Sequence, residues 1–136
     1  MGLDAAGHIT NLVSNNFDIN PPADSPGILA HDPGYTTAWT FRGNVTSSSG
    51  LNGSASFGYD IAGNRLSTTV NGVTTTASLT TGTNYAAPSA ITTNSLTTSL
   101  NWTGYLALSS ETGPNGDSGS ITYDGAAVNP KRETRS

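Results

Sequence analysis

The dipeptide Asn71-Gly72 constrains this chain more than any other feature. Both central residues of a type I′ turn need positive φ, and Asn-Gly takes that turn most readily. Lying between two runs of β-formers, it predicts a two-residue β-hairpin. With that loop Val70 faces Val73, Thr68 faces Thr75 and Leu66 faces Ala77, all on one face because side chains alternate along a strand. The turn and the apolar pattern therefore agree on one register. Upstream, Ala55, Phe57 and Tyr59 share a face of a further strand. Gly63, within Tyr59-Asp60-Ile61-Ala62-Gly63-Asn64-Arg65-Leu66, reverses the chain between the two.

The composition limits how such strands can be held together. Of 136 residues, Thr, Ser and Asn supply 51 and Gly another 16, whereas Leu, Ile, Val and Phe together number 24. That apolar share is below the usual level for a self-sufficient core. Disorder normally comes with high net charge, but the formal charge here is only −4. A β-structure with a thin core follows, of a length for one domain over residues 1–136. There is no cysteine, hence no disulfide and no thiolate metal site. No apolar run reaches the length of a membrane span, and Met1-Gly2-Leu3-Asp4 lacks the basic start and apolar core of a signal peptide. Five basic residues, three of them Lys131, Arg132 and Arg135 near the end of the chain, do not suit a nucleic-acid partner.

Other stretches repeat the first one. Leu3-Asp4-Ala5-Ala6-Gly7-His8-Ile9-Thr10 has the layout of Tyr59 through Leu66. Residues 15–35, with Pro21-Pro22, Pro26-Gly27 and Pro33-Gly34, predict a loop, since each Pro removes a ladder donor. Trp39 through Val45 resumes the pattern, with Gly43-Asn44 at the offset of Gly63-Asn64 but without the Asp. Asn52-Gly53 offers a hairpin whose register is weakly specified by the Ser and Gly around it. Ile91 and Thr93 sit across an Asn94-Ser95 turn from Thr98 and Leu96, and Pro114-Asn115-Gly116 gives a further turn. Trp39, Tyr59, Trp102 and Tyr123 then fit a spacing of about 20–22 residues, the signature of stacked units sharing one core. Tyr59, Trp102 and Tyr123 are expected at equivalent sites of successive units. In all, eight to ten antiparallel strands are expected.

Tyr59-Asp60-x-x-Gly63-Asn64-Arg65-Leu66 with Asn71-Gly72 behind it, and Tyr123-Asp124 after a Gly-rich turn, resemble the YD repeat of Rhs and teneurin-like proteins. Degenerate repeats fall near 3–14, 39–58, 59–79, 102–122 and 123–136, with a loop-rich insertion at 15–35. The resemblance implies successive β-hairpins in a spiralling β-shell, a structural part of a much longer secreted or cell-surface protein. It also implies neighbouring repeats, an encapsulated toxin domain or a surface glycan as partners, and no cofactor.

The residues by themselves suggest little chemistry. Asp4, Asp60 and Asp124 read as turn residues that accept backbone N–H bonds, and no closely spaced oxygen ligands build a calcium loop. His8 and His31 stand without a nucleophile and an orienting acid in a recognisable setting. No enzyme is expected. The alternative to a structural segment is a stand-alone, adhesin-like carbohydrate-binding β-module. Trp39 and Trp102 discriminate the two: inward-facing rings suit a shell, exposed rings suit sugar stacking.

Overall fold

The computed structural model describes residues 2–10, 12–25, 27–29, 31–123 and 130–135, with the backbone alone for Ile9, Thr10 and 130–135. The protein is all-β, its strands antiparallel and joined in successive hairpins. The one helical element among the described residues is a 3-10 turn at Thr81–Thr83. None is long and apolar enough to cross a membrane.

The chain divides into two compact units. The first comprises Met1–Pro26 and Ala30–Thr74, the second Gly27–Leu29 and Thr75–Ser136. In the first, β1 (Gly2–Leu3) and β2 (Ile9–Thr10) form a minimal antiparallel pair. Strands β3 (Val13–Phe17), β4 (Val45–Gly50), β5 (Gly53–Tyr59) and β6 (Arg65–Val70) then lie in sequence order, each antiparallel to the next. Strand β3 is an edge, and all five of its residues are exposed. It reaches Phe17, so the loop expected at 15–35 begins only at residue 18. Asn15 and Asn16 pair with Ser48 and Ser47 instead, and the Asn16 amide bonds the Ser47 hydroxyl at 3.0 Å.

The Asn71-Gly72 turn forms as its dihedrals demand, with φ of 49° and 86°. The Thr69 and Thr74 hydroxyls meet at 2.8 Å across it, which fixes the two-residue loop. The hairpin expected at Asn52-Gly53 turns one residue earlier. Gly50 pairs with Gly53, so Leu51 and Asn52 form the loop. The reason lies in the neighbouring turn. The Asn71 side chain accepts from the Ser54 N–H at 3.1 Å, and any Cβ on residue 53 would stand 2.0 Å from that same oxygen. Gly53 therefore belongs in the strand, where it makes room.

The second unit continues with β7 (Val73–Leu79, entered from the first unit), β8 (Pro88–Thr93), β9 (Leu96–Trp102), β10 (Leu108–Thr112), β11 (Ser118–Tyr123) and β12 (Pro130–Arg135), again in sequence order. Ile91 pairs with Thr98 and Thr93 with Leu96 as expected, across Asn94 and Ser95 at φ of 50° and 66°. Residues 113–117 close the β10–β11 hairpin, with Gly116 at φ 84°.

Apolar burial is sparse. Among the described residues the buried hydrophobic side chains are Ile61 in the first unit and Ile28 and Ala87 in the second. Threonine pairs supplement it: Thr75 with Thr93 and Thr92 with Thr97 each meet at 2.8 Å on neighbouring strands.

Candidate functional site

The recurring turn is the local device from which everything else is placed. In residues 60–64 the Asp60 N–H donates to the Asn64 carbonyl and the Gly63 N–H to the Asp60 carbonyl, both at 3.0 Å. The Asp60 Oδ1 accepts from the N–H groups of Ala62 (3.0 Å) and Asn64 (2.8 Å), and Oδ2 accepts from Asn64 Nδ2 (2.9 Å). Asp60 is wholly buried, and these bonds are why its carboxylate can be. Residues 4–8 repeat the pattern bond for bond: Asp4 Oδ1 accepts from Ala6 (2.9 Å) and His8 (2.8 Å), and Oδ2 meets His8 Nδ1 at 3.1 Å. The His8 N–H and then its ring hold the Asp4 carboxyl below its ordinary 3.8, against a smaller opposing effect of desolvation. Residues 103–107 use a hydroxyl for the same purpose. Thr103 Oγ1 accepts from Tyr105 (3.3 Å) and Ala107 (3.2 Å), while Leu106 takes the left-handed position at φ 58° where Gly7 and Gly63 stand in the other copies.

The Asp missing from the 39–45 stretch is supplied from far upstream. Asp18 Oδ1 accepts from the Asn44 N–H (2.9 Å), and Oδ2 accepts from Gly43 (2.7 Å) and Arg42 (3.0 Å). The Asp18 N–H donates to the Asn44 carbonyl at 2.9 Å, as Asp60 does to Asn64. Phe17-Asp18 and Gly43-Asn44 are thus two ends of one repeat turn, with the intervening loop inserted inside it. The strand-end aromatic of this copy is Phe17, not Trp39. Burial acts to raise the Asp18 carboxyl, but the Gly43, Asn44 and Arg42 N–H groups and the Arg42 charge together carry it below 3.8.

A β-bulge recurs in the same place at five strand ends, though not before the 4–8 turn, whose strands pair without a register shift. The register shifts at Phe17, Tyr59, Leu79, Trp102 and Tyr123, and the unpaired extra residue is always the second of the incoming strand: Thr46, Leu66, Ser89, Ser109 and Lys131. A bulge bends and twists the strand locally. Three of these strand-end residues then clasp the start of the preceding strand. Tyr59 Oη donates to the Val45 carbonyl (3.0 Å), Trp102 Nε1 to Pro88 (2.7 Å) and Tyr123 Oη to Leu108 (2.8 Å). All three rings are half-buried. Leu79 fills the gap that the aromatic spacing left between Tyr59 and Trp102. Arg65 starts β6 beside the clasp with its guanidinium carbon 5.7 Å from the Phe57 ring. Asp124 lies outside the described residues.

The inserted loop carries a different kind of surface. Ala23 bridges Asp60 in parallel, accepting from Ile61 (3.0 Å) and donating to Tyr59 (2.8 Å). Arg42 donates to the carbonyls of Trp39 (2.7 Å), Thr36 (3.0 Å), Tyr35 (3.3 Å) and Ile61. Held this way, Tyr35 and Trp39 sit with ring centroids 5.4 Å apart and planes tilted by 58°. Trp39 is 57% exposed and Phe41 95%. The two tryptophans therefore serve different ends: Trp102 is committed to a backbone bond, and Trp39 faces solvent.

The two histidines have different partners, His8 the Asp4 carboxylate and His31 a backbone carbonyl. His31 Nδ1 meets the Asp32 carbonyl at 2.9 Å, and among the described residues no group of three or more His, Cys, Asp or Glu side chains comes together as a metal site. No family model matches the chain, and no curated protein matches it.

Proposed function

We propose that this chain is a non-catalytic structural segment of a larger secreted or cell-surface protein of the YD-repeat (Rhs-like) kind. Its hairpins would add to those of neighbouring repeats in a β-shell that encloses a toxin domain or meets other cells. The observation that carries this reading is the recurrence of one construction: a strand-end aromatic or Leu and a bulge at the second residue of the next strand, at five places, with a turn closed by Asp18, Asp60 or Thr103 at three of them. A single ligand-binding or catalytic domain has no need to rebuild the same corner five times. A stack of units does, because each must present an identical edge to the next. The sparse apolar burial supports the same conclusion, since units of a stack rely on one another for their core.

The coding sequence on both sides of these residues tests it. Further aromatic-Asp-x-x-Gly turns should recur there about every 20–22 residues. A parent polypeptide with no such turns on either side would overturn the reading.

A further inference from the structure

We propose that the loop inserted between Asp18 and Gly43 carries a binding site for a neutral carbohydrate, built on Trp39 with Tyr35 and Phe41. Loops held on a rigid sheet are where binding surfaces are usually found, and this loop is fastened at both ends. Asp18 takes three successive N–H groups at its exit, and Ala23 bridges Asp60 near its entry. Arg42 spends its guanidinium on four backbone carbonyls, two of them those of Tyr35 and Trp39. The backbone that carries Tyr35 and Trp39 is thus set in place before any ligand arrives, which lowers the ordering cost of binding.

The hollow they border has a volume of about 370 Å³, at the small end of ligand pockets. It is lined by Tyr35, Trp39 and Phe41 together with Arg42, Asn44, Ala62 and Gly63. The tilt between Tyr35 and Trp39 makes a corner rather than a flat plate. Such a corner suits a ring with an apolar C–H face to stack on the indole and hydroxyls at its rim for the Tyr35 hydroxyl and the Asn44 carboxamide. No Leu, Ile, Val or Met lines the hollow, so its apolar surface is chiefly aromatic ring, the surface on which the C–H face of a sugar stacks. Arg42 is the one charged residue lining the hollow, but its guanidinium is engaged by four backbone carbonyls, and the chain's net charge of −4 further disfavours polyanions, including nucleic acid and acidic glycans. What remains is a neutral sugar.

The proposal is independent of the β-shell reading: a repeat segment or a stand-alone module would carry the site equally. It is tested on the full 136-residue chain by isothermal titration with cellotriose, maltotriose, xylotriose and N,N′,N″-triacetylchitotriose, followed in parallel by tryptophan emission. At least one should bind with a millimolar or lower Kd and shift the emission. Trp39→Ala should weaken that binding at least tenfold, and Phe41→Ser, at a side chain almost wholly in solvent, should weaken it with the circular dichroism spectrum unchanged. Trp102→Phe should leave the affinity within twofold. Absence of binding by all four sugars at 20 mM would overturn the proposal, as would binding that survives Trp39→Ala. Self-association that Phe41→Ser abolishes, without sugar binding, would assign the patch to protein contact and overturn it too.

Discussion

The Tyr59 hydroxyl donates to the Val45 carbonyl at 3.0 Å, tying the last residue of β5 to the first residue of β4, 14 positions upstream. The bond spans the open end of a hairpin whose other end is the Leu51-Asn52 turn. Trp102 does the same to Pro88 and Tyr123 to Leu108, at separations of 14 and 15. A strand pair that buries few apolar side chains is thereby closed at both ends.

Tyr59→Phe removes the hydroxyl and keeps the ring, so the loss should be that of one neutral hydrogen bond, about 0.5–1.5 kcal/mol. Urea unfolding should show a lower midpoint at an unchanged slope. Tyr123→Phe should behave alike. A midpoint equal to that of the wild type would mean the clasp adds nothing to stability.

Leu106 occupies a left-handed position, φ 58°, which Gly7, Gly63 and Gly116 fill in the matching turns. An L-residue is disfavoured there by about 1–2 kcal/mol, and glycine costs roughly 0.5–1 kcal/mol of backbone entropy. Leu106→Gly should therefore stabilise the protein by up to about 1 kcal/mol, reduced by the burial of the leucine side chain, which is 44% exposed. A drop in the melting temperature would show that Leu106 makes a packing contribution larger than its strain.

Asp18 and Asp4 both have carboxyls held below 3.8 in the folded chain, so folding favours their ionised forms. The stability they contribute is fully present above pH 3.8 and is lost as pH falls through their lower folded values. Urea midpoints measured from pH 5 down to pH 2 should fall across that acid window. Asp18→Asn should flatten part of the fall while lowering stability at neutral pH. An acid limb of the same depth in Asp18→Asn would assign the effect to other carboxyls.

Strand β3 offers a fully exposed edge, with Val13 at 62% and Phe17 at 56% exposure. Unpaired strand edges invite pairing with other chains. The isolated 136 residues should therefore melt below about 65 °C and associate in a concentration-dependent way by light scattering. Val13→Lys should reduce that association. A monomer that melts cooperatively above that temperature would favour a self-contained module over a segment of a stack.

Much of the architecture was legible in the sequence because it rests on local chemistry. Asn71-Gly72, Asn94-Ser95 and Gly116 turn where the residues need positive φ, and alternation set the pairing of Ile91 with Thr98. The Asp4 and Asp60 turns were also readable, since a carboxylate reaches N–H groups two and four residues ahead without help from the rest of the fold. Where strands are Ser and Gly, pattern specifies no register, and the turn before Gly53 was settled by the Asn71 side chain lying beside it.

Contacts distant in sequence were decided by the tertiary structure alone. Asp18 closes its turn on Arg42, Gly43 and Asn44 across 24 to 26 residues, so no spacing rule links them, and Trp39 took by coincidence of spacing the place that belongs to Phe17. The same holds for the two tryptophans. A sequence marks each as a large amphipathic ring, but only the folded chain sets the Trp102 indole against the Pro88 carbonyl and leaves Trp39 in solvent. Turns and alternation act over a few residues and are written in the chain. A ring's burial depends on which backbone folding brings to it.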